Sequence, residues 1–225
     1  RNMAEYDFMD KRNILDLEDS FSFCCNGCSE CCRNRNDIIL SAYDIYRLSQ
    51  GLNISDMQLL KEYCEIYIGK VSKLPFVKVV FENGVCKFMK DNKCSIHLFK
   101  PSVCKLYPLG RGVKEDFNEV FYFKQDTQCG GKGMQIVKEW VKGIDEEIFI
   151  VWSTFMLDLV KSSHYEVLVD RVLKNYKKLD IDYAFFYAII DILYLQYDVK
   201  VDFLSQLKER NKRLVSALHS NKLKF

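Results

Sequence analysis

Proline and histidine are scarce in this chain, with three of each among 225 residues. So few histidines leave general acid–base work to carboxylates, lysine or tyrosine, and thirteen tyrosines single out none of them. No Ser-His-Asp set, paired catalytic carboxylates, Rossmann fingerprint or P-loop is present. Gly130-Gly131-Lys132-Gly133 lacks the GxxxxGK[ST] spacing of a phosphate loop. Charge of one sign is not in excess: net +2 with a pI near 8 points neither to nucleic acid nor to a membrane surface. The longest apolar run, 183–195, is broken by Asp191 and falls short of the ~20 residues a bilayer needs. The first residues are polar and acidic, without the apolar core of a signal peptide. Apolar residues at 48% and charged residues at 28% exclude a disordered or collagenous chain.

From residue 144 to the end there is no Cys, Gly or Pro at all. All ten glycines and three prolines lie earlier, together with ten cysteines at 24, 25, 28, 31, 32, 64, 86, 94, 104 and 129. A chain of this length buries a core without staples, so the cysteines call for a chemical explanation. Without a secretion signal the protein is expected to be cytoplasmic. Its thiols then stay reduced, which favours metal ligation over disulfides.

Ser41 with Asp44 predicts a helix start after a short strand at 37–40, with Gly51 closing that helix. Ser55 caps a second helix, on which Leu60, Tyr63, Cys64 and Tyr67 share a face, making Cys64 a small core hydrophobe. This pair is no DNA-reading unit, because Asp56, Glu62 and Glu65 oppose Lys61. Residues 76–81 and 85–89 read as strands around an Asn83-Gly84 turn, and Asp91-Asn92 makes the next turn. A further strand spans 120–123, and 130–133 reads as a flexible loop before a helix carrying Trp140. Helical patterns follow through Ile148–Val160, 167–176, 183–194 and 203–218. The segment 199–225 carries seven Lys/Arg against two Asp/Glu, which reads as a solvated face.

The sharpest signal is Cys25-Asn-Gly-Cys28-Ser-Glu-Cys31-Cys32. Tandem CxxC steps let one turning loop present three thiolates to a common centre, as the C-x2-C-x2-C step does for [4Fe–4S] clusters. Adjacent side chains diverge, so Cys31 and Cys32 point to more than one mononuclear site. Cys86, Cys94, Cys104 and Cys129 bring the thiols to eight, with Cys24 and Cys64 left over. Eight thiolates fit two four-cysteine zinc sites, two [4Fe–4S] clusters, or one cluster plus a site with an exchangeable position. His97, in Cys94-Ser-Ile-His97, competes weakly as a zinc ligand, whereas His164 and His219 read as solvent-facing.

Phe23-Cys24-Cys25-Asn26-Gly27-Cys28-Ser29-Glu30-Cys31-Cys32 followed by Ile39-Leu40-Ser41-Ala42-Tyr43-Asp44-Ile45 resembles the YkgJ family of cysteine-cluster proteins, the CxxCxxCC zinc- or iron-chelating proteins. Cys86-Lys-Phe-Met, Cys94-Ser-Ile-His, Lys100-Pro101-Ser-Val-Cys104-Lys-Leu-Tyr107-Pro108 and Gln128-Cys129-Gly130-Gly131 continue the match in order. The resemblance implies a metal-chelating cluster on Cys25, Cys28, Cys31, Cys32, Cys86, Cys94, Cys104 and Cys129. Cys24 is additional to the family pattern, and Lys100 stands where Arg often precedes the proline. A more distant similarity to flagellin lysine N-methylases, which share a cysteine cluster, does not extend over their remaining sequence, so methylation is not carried over.

The expected fold is α+β and mostly helical. A loop-rich cysteine-cluster part with a few short strands, 1–133, precedes a helical bundle, 134–225, packed on it. The expected function is a cysteine-cluster metalloprotein binding one or two [4Fe–4S] clusters, as an oxidoreductase or in protein or peptide modification. Lys105, Arg111, Arg33 or Arg35 would supply positive charge. The alternatives are a zinc-stapled interaction module without catalysis, and metal storage or delivery. A protein or peptide partner is expected, and neither membrane nor nucleic acid.

Overall fold

The computed structural model describes residues 14–33, 35–72, 74–114, 118–127, 129–161 and 189–219. The fold is mixed α+β: short strands in small sheets, with a helical part towards the C-terminus. Among the described residues no helix is long and apolar enough to cross a membrane. The chain divides into two compact units that interleave along the sequence, 1–35 with 81–146 and 36–80 with 147–225.

The first unit contains nine of the ten cysteines. Strands β1 (Ile14–Leu15), β11 (Val120–Lys124) and β10 (Leu109–Val113) form one antiparallel sheet in the order β1-β11-β10. Gly110 and Gly112 of β10 lie opposite Phe123 and Phe121. A Cβ at either glycine would meet the facing ring within 2.4 Å, so the glycines make room for the aromatics. Strand β2 (Ser20–Cys24) pairs antiparallel with β12 (Gly131–Ile136). Alternation along β2 sends Phe21 and Phe23 inward and leaves Ser20, Ser22 and Cys24 exposed. Phe21 and Phe23 join Leu106, Leu109, Tyr122, Val137 and Val141 in one core, with Trp140 of α4 (Val137–Trp140) set edge-on to both phenylalanines.

Residues 131–133, expected as loop, are therefore strand. Cys24 faces Gly131 in the register, and a Cβ on Gly130 would strike the Phe23 ring at 2.3 Å. The glycines permit this close approach of backbone to β2, rather than supplying flexibility. The expected division at 133/134 falls inside β12.

Two tight hairpins complete this unit: β6 (Phe81–Glu82) with β7 (Val85–Cys86), and β8 (Met89–Lys90) with β9 (Lys93–Cys94). Both turn through consecutive left-handed residues, Asn83-Gly84 and Asp91-Asn92, as two-residue hairpin loops require. The single return strand expected over 85–89 is thus divided between two hairpins.

The second unit is built on the antiparallel sheet β3 (Ile39–Leu40), β5 (Pro75–Val79) and β4 (Cys64–Ile68), in the order β3-β5-β4. Helix α1 (Ala42–Leu52) starts with a full capping box: Asp44 N donates to Ser41 Oγ at 3.2 Å, and Ser41 N donates to Asp44 Oδ2 at 2.9 Å. It runs through Gly51, and Asn53 takes the left-handed closing conformation instead. Helix α2 (Asp56–Tyr63), capped by Ser55, ends one residue before Cys64. Cys64 opens β4 rather than continuing the helix, because Cys64–Ile68 pairs along its whole length with Pro75–Val79. It is buried, in keeping with a core hydrophobe.

Helix α5 (Glu146–Lys161) buries Ile148, Trp152, Phe155, Met156 and Leu159. A helical stretch at 189–194 buries Tyr194, whose hydroxyl donates to Pro75 O at 3.1 Å. Helix α6 (Phe203–His219) contributes buried Phe203, Leu207 and Leu214. The helical pattern at 167–176, the first residues of that at 183–194, and His164 lie outside the described residues.

Candidate metal centre

The tandem cysteines follow directly from β2, whose last residue is Cys24. Gly27 and Ser29 both take left-handed conformations, so the chain turns sharply twice between Cys25 and Cys31. A short 3-10 turn then carries Glu30–Cys32. Asn92, at the tip of the β8–β9 hairpin, holds this loop: its carbonyl accepts from Ser29 Oγ at 2.5 Å and its side chain accepts from Arg33 Nη2 at 2.7 Å. An isolated bridge between Arg33 and Val85 ties in the other hairpin. The two hairpins thereby bring Cys86 and Cys94 to Cys31 and Cys32.

Cys31 Sγ lies 3.9 Å from Cys32 Sγ. The Cys32 thiol is hydrogen-bonded to both Cys31 and Cys94, and these bonds, Cys31 first, hold its own proton on tightly. The same bonds pull Cys31 and Cys94 down to about 6, assisted at both by the charge of Lys100 and at Cys31 also by Arg35. Burial pushes Cys86 up, while the Phe88 backbone N–H, hydrogen-bonded to it, acts in the opposite sense. The Ile96 N–H bonds to Cys94 in the same way. Each hairpin sulfur is therefore met by the backbone amide two residues further on, which favours its thiolate form.

A second group lies around Cys129. Its sulfur is 3.2 Å from the Tyr107 hydroxyl and is hydrogen-bonded to Cys28. Burial raises Cys129, and the Tyr107 bond counteracts that. Tyr107 itself is pushed up to about 12, first by burial and then by its bond to Cys129.

Six of the eight candidate thiols are thus joined by hydrogen bonds or close electrostatic coupling: Cys28, Cys31, Cys32, Cys86, Cys94 and Cys129. Cys25, exposed just beyond β2, and Cys104, half-buried in α3 (Ser102–Leu106), belong to the same compact unit. Cys24 is exposed on the outer face of β2, and Cys64 lies in the other unit, its thiol pushed up to about 12 by burial. His97 is exposed in a 3-10 turn. Among the described residues, no three Cys, His, Asp or Glu side chains converge tightly enough to cage an ion as they stand. The contacts are pairwise, with Cys32 at their centre.

The donor set nonetheless fits a thiophilic metal. It is all sulfur, with six of the eight thiols half-buried and Cys25 and Cys28 exposed, the hairpin sulfurs backed by backbone N–H groups, and charge compensated by Lys100 and Arg35. Of the cations expected nearby, Arg35 fills that role. Lys105 instead donates to Gly143 O at 2.7 Å and Arg33 to Asn92. The sequence places Lys100, Asn92 and Tyr107 in its motifs and turns but gives them no role at the centre, since only the folded hairpins and the end of α3 bring them here.

Comparison with known families gives one match: the model described as CxxCxxCC, a putative zinc- or iron-chelating domain, covers residues 24–130. The match takes in a little under half of the chain. No curated protein and no solved structure matches the chain. The matched stretch begins at Cys24 and ends directly after Cys129, so it spans every candidate ligand. Chelation of zinc or iron is what the description of the matched model names, and it supports metal binding in general terms.

Proposed function

We propose that the CxxCxxCC domain is a thiolate metal centre built on Cys25, Cys28, Cys31, Cys32, Cys86, Cys94, Cys104 and Cys129, in which Cys31, Cys32, Cys86 and Cys94 form one compact group around zinc or iron and Cys28 and Cys129 ligate beside it. One observation carries this: the 3.9 Å contact between Cys31 Sγ and Cys32 Sγ. Tetrahedral coordination with metal–sulfur bonds of ~2.3 Å separates sulfurs by about 3.8 Å. Binding requires the Cys32 proton to leave, so uptake of the ion releases protons.

A second reading is favoured by the tandem spacing of Cys25, Cys28 and Cys31, which suits a [4Fe–4S] cluster. On that reading the protein serves redox chemistry or the modification of a protein or peptide. With zinc alone it is a stapled interaction module. A reducing, cytoplasmic setting that keeps the thiols available to metal is part of either proposal.

Anaerobic purification followed by metal analysis, acid-labile sulfide assay and a visible spectrum separates the two. A colourless protein with stoichiometric zinc and no sulfide supports zinc held by the thiolates, and a brown protein with iron and sulfide supports the cluster. Cys31→Ala and Cys28→Ala lower metal content in both cases. Full metal content in both variants would refute the thiolate centre.

A further inference from the structure

Tyr107 stands at the end of α3, between the helix carrying Cys104 and the strand β10. Its ring is held from two sides. Phe23 packs edge-on at 6.1 Å between centroids, and the Arg35 guanidinium lies 5.4 Å from the ring centre. Its hydroxyl is 3.2 Å from Cys129 Sγ, with the Thr127 side chain beside it. Thr127 Oγ1 in turn donates to the Cys129 carbonyl at 3.2 Å. Tyr107 and Thr127 therefore bracket Cys129 at both its sulfur and its backbone.

We propose that Tyr107 is a positioning residue for the metal centre: its hydroxyl donates to Cys129 Sγ and fixes the direction from which that sulfur meets the metal. This rests on the thiolate-centre reading above. A metal-bound thiolate has no proton and can only accept a hydrogen bond, while a phenol supplies the O–H. The remainder of the Tyr107 environment fits such a role. Phe23 and Arg35 flank the ring and favour the orientation in which its hydroxyl faces Cys129. Arg35 connects the two sulfur groups as well, since the guanidinium that covers the Tyr107 ring also places its charge near Cys31. Groups that orient a metal ligand in this way characteristically change metal affinity by about 10–100-fold when removed.

The test is Tyr107→Phe in the full chain, which keeps the ring and removes only the hydroxyl. Apo protein is titrated anaerobically with Co2+, read by the sulfur-to-cobalt charge-transfer absorption and by competition with a chelator. Affinity is expected to fall about 10–100-fold, with a shifted charge-transfer band. An unchanged band and affinity, with or without a lowered melting temperature of the apo protein, overturns the proposal, because a purely structural role moves only the melting temperature. Should Tyr107→Phe fail to fold, Thr127→Val removes the bond to the Cys129 carbonyl and the hydroxyl beside Tyr107; a smaller shift of the same sign is expected, and an unmoved band overturns the proposal. Cys129→Ala and Cys31→Ala run alongside. If both retain full Co2+ binding, the thiolate centre itself is wrong; if they lose it while Tyr107→Phe matches the natural protein, only the positioning role falls.

Discussion

The two units of this chain are held by different materials. The unit formed by 36–80 and 147–225 buries Leu40, Ile45, Leu48, Leu59, Leu74, Leu159, Ile190 and Tyr194 almost completely. It has one cysteine among its described residues, and that cysteine behaves as a small apolar side chain. The unit formed by 1–35 and 81–146 has two-residue strands, tight hairpins and a core of modest size around Phe21, Phe23 and Trp140. What its hairpins converge on is sulfur. A region with so little apolar burial is expected to draw much of its stability from metal, whereas the other unit draws it from aliphatic packing.

The contrast can be broken most forcefully by removing the metal. Apparent binding free energies of ~10–16 kcal/mol for structural zinc exceed what most small domains possess in total. Chelation is expected to abolish amide protection in 81–113 while leaving 40–68 protected, followed by hydrogen exchange and mass spectrometry. Equal loss in both regions would erase the distinction. Leu48→Ala tests the opposite side: truncating this fully buried residue is expected to cost about 2–5 kcal/mol, seen in denaturant unfolding, with metal content unchanged. Ser41→Ala removes the capping box of α1 and is expected to cost about 1 kcal/mol, again with metal content unaltered. Smallest is Cys64→Ala, for which roughly 1 kcal/mol or less is expected. Metal lost in that variant would place Cys64 among the ligands and contradict its role as core.

The sequence made the cysteine pattern legible because ligand spacing is a local property. The tandem steps, Gly27 and the Asn83-Gly84 and Asp91-Asn92 turns are all read within a few residues, and the turns occur where that chemistry puts them. The start of α1 was equally local, since Ser41 and Asp44 make the capping box between themselves. Pairing between distant segments was not legible. Cys64 satisfies a helical pattern with Leu60 and Tyr63, yet the partner strand Pro75–Val79 decides its conformation. Gly130–Gly133 has the composition of a loop, but the reason for its glycines is the Phe23 ring and β2 backbone, more than one hundred residues earlier. Tyr107 carries no motif that marks it as a neighbour of Cys129. Its hydroxyl gains meaning only from the distance between them.

The interleaving of the two units has the same origin. Composition changes once along the chain, near residue 144, but contacts group 36–80 with the later helices. Composition records which local chemistry a segment uses; it does not record which segment covers its apolar face.

The central claim is that sulfur, and sulfur alone, holds the metal in the first unit. X-ray absorption at the metal edge of the anaerobically purified protein tests it most directly. The account predicts a first shell of sulfur at ~2.3 Å, consistent with four thiolates around zinc or iron. A shell dominated by nitrogen or oxygen, or a protein that takes up neither metal, would contradict it.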